Sequence, residues 1–164
     1  MKKKVTLIPE TMILGPMIVS KTQKERWIER GWVRDKEEFI HVDKVFPRNS
    51  EGKCYILKEW LLAPLRRIVR DQNLNKEILN FDLLEDNIAV NYAIIPELPL
   101  LGTRCINDKY KTLETFEYID STFTIPLTIK GKKETIDALK IAGMKYGLFS
   151  RTKKGYGKFK IVSR

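Results

Sequence analysis

Alternating hydrophobic and polar residues along the chain predict several β-strands. The clearest alternation covers residues 115–129, and it is interrupted at Asp120 and Ser121, a pair typical of a turn between two antiparallel strands. Shorter runs of the same kind predict a strand at 5–8 and a final strand at 157–162. Weaker patterns predict further strands over 12–19, 39–42 and 88–96.

The strongest helical spacing lies in residues 52–71. Apolar residues recur there at intervals of three and four, which places Leu57, Leu61, Leu65, Ile68 and Val69 on one helical face. Pro64 interrupts this pattern, because a proline inside a helix removes a hydrogen bond and costs about 3 kcal/mol. We therefore expect the helix either to begin near Leu62, with the proline in its first turn, or to kink at the proline.

Two further segments have helical spacing. Residues 132–142 predict a helix that Gly143 ends, and residues 22–34 predict a short amphipathic helix that ends at Gly31. The shorter helix carries two tryptophans in a charged segment. Buried, they would cover one end of the core, which is the commoner arrangement; exposed, they would indicate a protein interface.

The order strand, helix, two strands, helix, strand defines the expected fold. It predicts an α+β domain with a ferredoxin-like (RRM-like) split βαβ core, in which an antiparallel sheet packs two helices on one face and leaves the other face open. At this length we expect a single domain over 1–164. Segments 20–53 and 72–112 are then insertions, with a polar turn at 80–86 and a surface loop at 97–112.

Composition excludes several classes of protein. The apolar and charged fractions are those of a globular chain, and no apolar run approaches the roughly 20 residues of a membrane helix. Pro9 and Pro16 interrupt the only segment that resembles a signal peptide, so we expect a cytoplasmic protein. Cys54 and Cys105 are then reduced thiols, and with His41 as the single histidine we expect neither a metal nor another cofactor.

Positive charge is concentrated at the end of the chain. Residues 130–164 contain eleven lysines and arginines and two acidic residues, a net charge of +9, whereas the whole chain carries +10. A basic surface confined to one element is a stronger sign of nucleic-acid binding than basicity spread over the chain. The alternative is a solvated basic face beside a chain end.

Glycines and aromatic residues accompany these cations. Glycines allow a ligand backbone to approach closely, cations neutralise phosphates, and aromatic rings stack on bases. We expect Phe149 or Tyr156 to stack a base. The candidate binding residues in this loop are Arg151, Lys153, Lys154, Gly155, Tyr156, Gly157 and Lys158. On the first predicted helix, Arg66, Arg67 and Arg70 lie off the apolar face and are candidates for phosphate contacts or for a solvated surface.

Four segments together resemble the RAMP superfamily, the RRM-like proteins of CRISPR systems and their phage relatives. Residues 52–71 resemble the family's glycine, extended Tyr-Ile step and arginine-containing helix, and residues 114–129 resemble its acidic residue, strand, turn and Thr-Phe strand. Residues 133–148 resemble its second helix, and residues 150–162 resemble its glycine-rich loop and final strand. The resemblance covers 50–164 and is greatest to a compact CRISPR backbone subunit that polymerises along guide RNA, or to its phage-encoded relative.

This resemblance implies a single-stranded RNA ligand bound along the sheet and the glycine-rich loop, with CRISPR effector subunits or further copies of the chain as partners. The residues themselves indicate a polyanion and leave single-stranded DNA open. The short chain leaves little room for the insertion that contacts a neighbouring subunit in larger members, so the resemblance does not establish a filament.

Two other functions compete with non-enzymatic RNA binding. In another RAMP branch an acid–base residue, often histidine, cuts repeat RNA, and His41 is the one histidine available for this. A metal-dependent nuclease would use clustered carboxylates such as Asp82, Glu85 and Asp86, and Asp35 is a further candidate acid for target cleavage. A phage-encoded interaction or inhibitor protein is the third reading. We expect binding without catalysis.

Overall fold

The computed structural model describes residues 2–85, 88–89, 91–107, 109–149 and 155–163. Its helices are α1 (Lys21–Glu29), α2 (Lys36–Phe39), α3 (Lys58–Asp71) and α4 (Lys133–Lys145), with a 3₁₀ turn at Lys76–Leu79. Its strands are β1 (Lys2–Pro9), β2 (Ile13–Leu14), β3 (Tyr55–Leu57), β4 (Asp82–Glu85), β5 (Ile88–Ala89), β6 (Tyr92–Ile94), β7 (Leu100–Asn107), β8 (Thr112–Ile119), β9 (Ile125–Lys130) and β10 (Phe159–Ser163). The prediction of a mixed α+β domain with antiparallel sheets is confirmed.

The main sheet has five strands in the order β10-β1-β9-β4-β5, and every neighbouring pair is antiparallel. Because side chains alternate across a strand, one face collects the apolar residues. Val5 and Leu7 of β1 and Ile125, Leu127 and Ile129 of β9 are all buried on this face. The buried residues of α3 and α4 belong to the same apolar cluster, so both helices cover the core face of the sheet.

A three-stranded sheet, β2-β8-β7, and a two-stranded ribbon, β3-β6, complete the fold. The predicted hairpin at 115–129 is wrong in its pairing. The turn forms as expected, with Asp120 accepting a hydrogen bond from the Thr122 amide. However, β8 pairs with β7 and β2, whereas β9 pairs with β1 and β4. The strands diverge because Ile119 lies opposite Ile13 and Ile125 lies opposite Leu7, so that each completes a different sheet.

The expected start of the first core helix near Leu62 and the expected end of the second at Gly143 were wrong, whereas the alternative of a kink at Pro64 stays a prediction. Helix α3 begins at Lys58, directly after β3, and Pro64 lies inside it. The proline is buried with the helix's apolar face, so its ring adds to the core where an intrahelical hydrogen bond is lost. Helix α4 continues through Gly143 to Lys145, because Gly143 packs directly against Phe159 of β10 and does not end the helix.

Three predictions for segments 20–53 and 72–112 were also wrong. The expected strand at 39–42 begins in helix α2, whose N-terminus is capped by the Asp35 carboxylate, which accepts hydrogen bonds from two backbone amides. The expected polar turn at 80–86 contains β4, and the expected loop at 97–112 contains β7. Both strands are recognisable only from their partners, since their own sequences alternate poorly.

Segment 20–53 contributes to a second, smaller apolar cluster. Trp27, Phe39, Val42 and Val45 are buried together, and Trp32 packs against them. The tryptophans pack inside the protein, as the commoner arrangement predicts, but they do so in a cluster separate from the main core. Helix α1 ends at Glu29, two residues before the predicted end at Gly31. The Arg48 guanidinium lies over the Trp27 ring at 4.7 Å and forms a bidentate ion pair with Glu117 at 2.5 and 2.7 Å. This pair fastens segment 20–53 to β8.

Within the part of the chain that the structure describes, no helix is both long enough and apolar enough to cross a membrane.

Candidate nucleic-acid interface

The structure describes part of the predicted binding loop. Gly155, Tyr156, Gly157 and Lys158 are described and precede β10 directly, whereas Arg151, Lys153 and Lys154 lie outside the described residues. The roles of those three cations therefore stay predictions. The described part of the loop shows how the segment is held and which of its residues face solvent.

Backbone hydrogen bonds fix the loop at the end of β1. The Gly157 amide donates to the Met12 carbonyl at 2.9 Å, and the Leu148 amide donates to the Gly157 carbonyl at 2.7 Å. The Lys158 amide donates to Thr11 Oγ1 at 3.0 Å, and its carbonyl accepts from the amides of residues 10 and 11. These hydrogen bonds attach Gly157 and Lys158 to the segment that follows β1.

The two glycines of the loop differ in their surroundings. Both have left-handed backbones, with φ of 87° at Gly155 and 89° at Gly157. A Cβ added to Gly157 would lie 2.2 Å from the Leu148 carbonyl oxygen, whereas a Cβ added to Gly155 would meet nothing within 4 Å. Gly157 is therefore required by packing within the chain, and Gly155 is the one whose exposed backbone a ligand can approach.

Tyr156 of the loop contacts the three-stranded sheet. Its ring is half-buried, and the Arg104 guanidinium of β7 lies 5.1 Å from its centre. Arg104 is itself held by an ion pair with Glu114 at 3.1 Å. Tyr156 also lines a cavity of about 310 Å³, together with Lys44, Trp60 and Phe149. The sequence singled out Tyr156 and Phe149 as stacking residues and did not identify Lys44 or Trp60.

The three predicted arginines of α3 are exposed, and each has a neighbour within the chain. Arg66 pairs with Glu59 at 3.4 Å, Arg70 pairs with Asp71 at 3.2 Å, and Arg67 stacks on the Tyr146 ring at 4.0 Å. Tyr146 donates a short hydrogen bond to Asp71, and this bond, followed by the hydrogen bond from Arg70, holds the pKa of Asp71 below its usual value. Exposed pairs of this kind contribute little to stability, so phosphates can compete for the arginines.

The outer face of the main sheet carries cations that sequence analysis did not select. Strand alternation places the residues opposite the core face in contact with solvent. Lys2 and Lys130 lie directly opposite each other in the β1–β9 register, and Lys4 is the next outward residue of β1. Lys160 of β10 shares this face and pairs with Glu10 at 3.5 Å. The alternating run at residues 2–9 was the signal that could have identified this face.

These lysines are largely without acidic partners. Among the described residues, no carboxylate forms an ion pair with Lys2, Lys4 or Lys130. Asp82 lies opposite Lys130 on β4, but its carboxylate is bound by Lys58 at 3.1 Å. Unpaired cations on a flat solvent-facing sheet attract a polyanion.

The residues proposed for catalysis occupy ordinary structural positions in this fold. His41 is exposed, and its side chain lines none of the described cavities. Asp35 caps α2, and Asp82 and Glu85 belong to β4, while Asp86 lies outside the described residues. In the described part of the chain, no group of three histidine, cysteine, aspartate or glutamate residues is arranged to hold a metal ion.

Comparison with known proteins defines the class of fold. No protein-family model matches the chain, and no curated protein sequence does either. Among solved structures, the chain resembles one chain of Type III-B Cmr-beta bound to cognate target RNA, with a TM-score of 0.59 at 13% identity over 99% of this chain. It also aligns with Cmr6 from Pyrococcus furiosus, with a TM-score of 0.44 at 11% identity, over 100% of this chain and 97% of that one.

The chain spans 61% of the length of the Cmr-beta chain that it matches. At this low identity the similarity concerns the fold. The chain thus shares an α+β fold with a protein of a Type III-B system, and the resemblance to CRISPR-associated proteins holds at that level.

Proposed function

We propose that this chain is a single-stranded RNA-binding protein of the RAMP superfamily, acting in or derived from a CRISPR ribonucleoprotein in the cytoplasm. The fold shared with a Cmr-beta chain supports this proposal. The strand order β10-β1-β9-β4 supports a ferredoxin-like core, since it is the 4-1-3-2 order of a split βαβ unit whose helices follow the first and third strands. The partners would be other effector subunits or further copies of the chain.

The observation that carries the proposal is the lysine-bearing outer face of the sheet. Lys2, Lys4 and Lys130 lie close together there without acidic partners among the described residues, and Lys160 extends the face across β10. Like charges placed directly opposite each other on neighbouring strands destabilise a sheet. A bound phosphate chain would relieve that repulsion, which gives the arrangement a functional reason.

The glycine-rich loop continues this surface at one end of the sheet. Lys158 leads directly into β10, so the loop and the outward Lys160 are only two residues apart in the chain. Gly155 would let the RNA backbone approach, and the neighbouring Arg151, Lys153 and Lys154 would neutralise further phosphates. Arg67 of α3 is linked to the loop through its partner Tyr146, which precedes Gly147, and Gly147 packs against Gly157.

A titration at two salt concentrations tests the proposal. A short single-stranded RNA, the matching single-stranded DNA and a duplex DNA are each titrated with the full chain, and affinity is followed by fluorescence anisotropy. We expect single-stranded RNA to bind most tightly. We also expect its affinity to fall steeply with salt, with a slope of about −0.7 for each neutralised phosphate. Weak, salt-insensitive binding to all three would contradict the proposal.

A further inference from the structure

The outer face of the sheet offers phosphate contacts but no aromatic ring at its described positions. Its outward side chains are those of Lys2, Lys4, Thr6, Ile8, Asp82, Leu84, Pro126, Thr128, Lys130, Lys160 and Val162. RRM-like proteins that read single-stranded RNA do so by stacking bases on aromatic rings of the sheet. In this chain, base stacking therefore requires aromatic rings that lie away from the outer face of the sheet.

That place is the cavity beside the glycine-rich loop. Three aromatic side chains, those of Trp60, Phe149 and Tyr156, line it together with the ammonium-bearing Lys44. Its volume of about 310 Å³ is at the lower end of the range of small-molecule pockets. A planar ring with one attached anionic group matches both the size and this combination of lining residues.

The aromatic residues of the cavity are held by contacts with one another and with a neighbouring arginine. The Trp60 and Phe149 rings meet edge to face with centres 5.4 Å apart. Phe149 has a left-handed backbone with φ of 69°, a conformation that is costly for a bulky residue and that concentrates at ligand-binding sites. Arg104 covers one face of Tyr156, so that a base would stack on the opposite face.

Lys44 supplies the positive charge. Its backbone is fixed by hydrogen bonds with Thr115 and Glu117 of β8, and its side chain is half-buried. No acidic residue in the described ranges forms an ion pair with it. A cation held next to aromatic rings and left without a counter-charge attracts a phosphate that is attached to a stacked base.

We infer that this cavity, lined by Lys44, Trp60, Phe149 and Tyr156, takes one unstacked nucleobase of a bound single strand, with Lys44 on its phosphate. The inference rests on the proposed RNA binding and adds to it a fixed position at which a base leaves the stack. A strand bound in this way has one base in a fixed position on the protein.

The test uses the full chain and a short single-stranded RNA with a dye at one end. The base 2-aminopurine, whose fluorescence is quenched by stacking, replaces one nucleotide at each position in turn. Anisotropy of the dye reports overall binding, and 2-aminopurine fluorescence reports the cavity. We expect quenching at one position or at a regular subset of positions. We also expect Tyr156→Ala to abolish it and to weaken binding about 5- to 150-fold, the range of one base–aromatic stack.

Two matched variants separate the ring and the charge from general damage. Tyr156→Phe keeps the ring and should retain both quenching and affinity. Lys44→Ala should weaken binding and lower the salt slope by about 0.7. Lys53→Ala removes an equal charge from an exposed residue that does not line the cavity, and it should change neither. If Tyr156→Ala does not fold, the unmodified protein is tested with an RNA that carries an abasic nucleotide at the quenched position. This RNA should show the same loss of affinity.

The outcomes distinguish the inference from the proposed function. RNA binding that quenches no position, or quenching that survives Tyr156→Ala, would overturn the cavity assignment and leave RNA binding intact. An absence of any anisotropy change with the unmodified chain would overturn both.

Discussion

Lys2 and Lys130 face each other across the antiparallel register of β1 and β9, with both side chains on the outer face of the main sheet. On the far side of Lys130 lies Asp82, whose carboxylate is bound by Lys58. The two lysines are thus neighbours on the outer face, and the acid opposite Lys130 is paired with Lys58. Cross-strand like charges cost about 0.2–1 kcal/mol, so this pairing is explained by a ligand more readily than by stability.

Replacing Lys130 should therefore separate binding from folding. We expect Lys130→Thr, which keeps a good strand former, to change the free energy of unfolding by less than about 1 kcal/mol. We expect the same variant to weaken RNA binding and to lower the magnitude of the salt slope by about 0.7, the contribution of one phosphate contact. Denaturant titration and anisotropy at several salt concentrations measure the two effects.

Lys53→Thr is the matched control for this variant. It removes the same charge from an exposed residue that belongs to no strand of the sheet. Equal losses of affinity in Lys130→Thr and Lys53→Thr would mean that net charge alone governs binding, and the sheet face would lose its special role.

A second prediction compares the two glycines of the loop. Gly155→Ala and Gly157→Ala impose a side chain on nearly the same left-handed backbone, which costs about 1–2 kcal/mol in each. Only at Gly157 would the new Cβ also collide with the Leu148 carbonyl oxygen. We expect Gly157→Ala to lower the free energy of unfolding clearly more than Gly155→Ala, as thermal or denaturant unfolding will show.

Binding provides the complementary comparison of these variants. Under conditions in which both are folded, Gly155→Ala should weaken RNA binding, because its backbone faces solvent where the strand would approach. If instead Gly155→Ala is as destabilising as Gly157→Ala, the contact with Leu148 is not what sets the requirement for glycine at 157.

Sequence patterns predicted the elements that have strong local signals. The amphipathic helix α3, the alternation of β9 and the apolar start of β1 were all visible, because each presents one apolar face to the core. Strand β7 was missed because its register comes from its partner β8, and no alternation within β7 reveals it. The pairing of β8 and β9 was misjudged for the same reason, since a turn between two strands does not specify which sheet each one joins.

The candidate site was predicted only in part. Charge counting identified the basic end of the chain and the glycine-rich loop, which are local features. The outer lysines come from β1 and β9, which are more than 100 residues apart, and they meet only through sheet register. Lys44 and Trp60 reach the cavity in the same way, from an insertion and from the start of α3. Residue types can indicate such a site, but which residues form it depends on the tertiary fold.

The third prediction concerns the buried ion pair between Arg48 and Glu117. Burial alone would lower the pKa of Arg48, but the hydrogen bond and the charge of Glu117 outweigh it and raise the pKa above its ordinary value. Removing one partner leaves an uncompensated buried charge, which costs about 3–5 kcal/mol. We expect Glu117→Ala to destabilise the protein by this amount in denaturant unfolding.

Two controls accompany this variant. Glu59→Ala breaks the exposed pair with Arg66 and should cost less than about 1 kcal/mol. The double variant Arg48→Met, Glu117→Leu removes both buried charges and should be more stable than Glu117→Ala alone. A double variant less stable than the single one would indicate that the hydrogen bonds of Arg48 to the Phe46 and Trp32 carbonyls matter more than the charge pair.

The last prediction uses the two free cysteines as reporters of the fold. Cys54 is buried beside the Arg48–Glu117 pair, whereas Cys105 is exposed. Burial raises the pKa of the Cys54 thiol from 9.0 to about 12, an effect that Arg48 opposes and Glu117 reinforces. Above pH 9 the unfolded chain loses this proton and the folded chain keeps it, so the free energy of unfolding should fall as pH rises from about 9 to about 12. Comparing unmodified protein with Cys54→Ala across this range isolates the contribution of the Cys54 thiol, since the variant should lack this part of the pH dependence.

At neutral pH a thiol reagent should modify Cys105 quickly and Cys54 only on unfolding. Rapid modification of both cysteines in the native protein would contradict the burial of Cys54 in the main core.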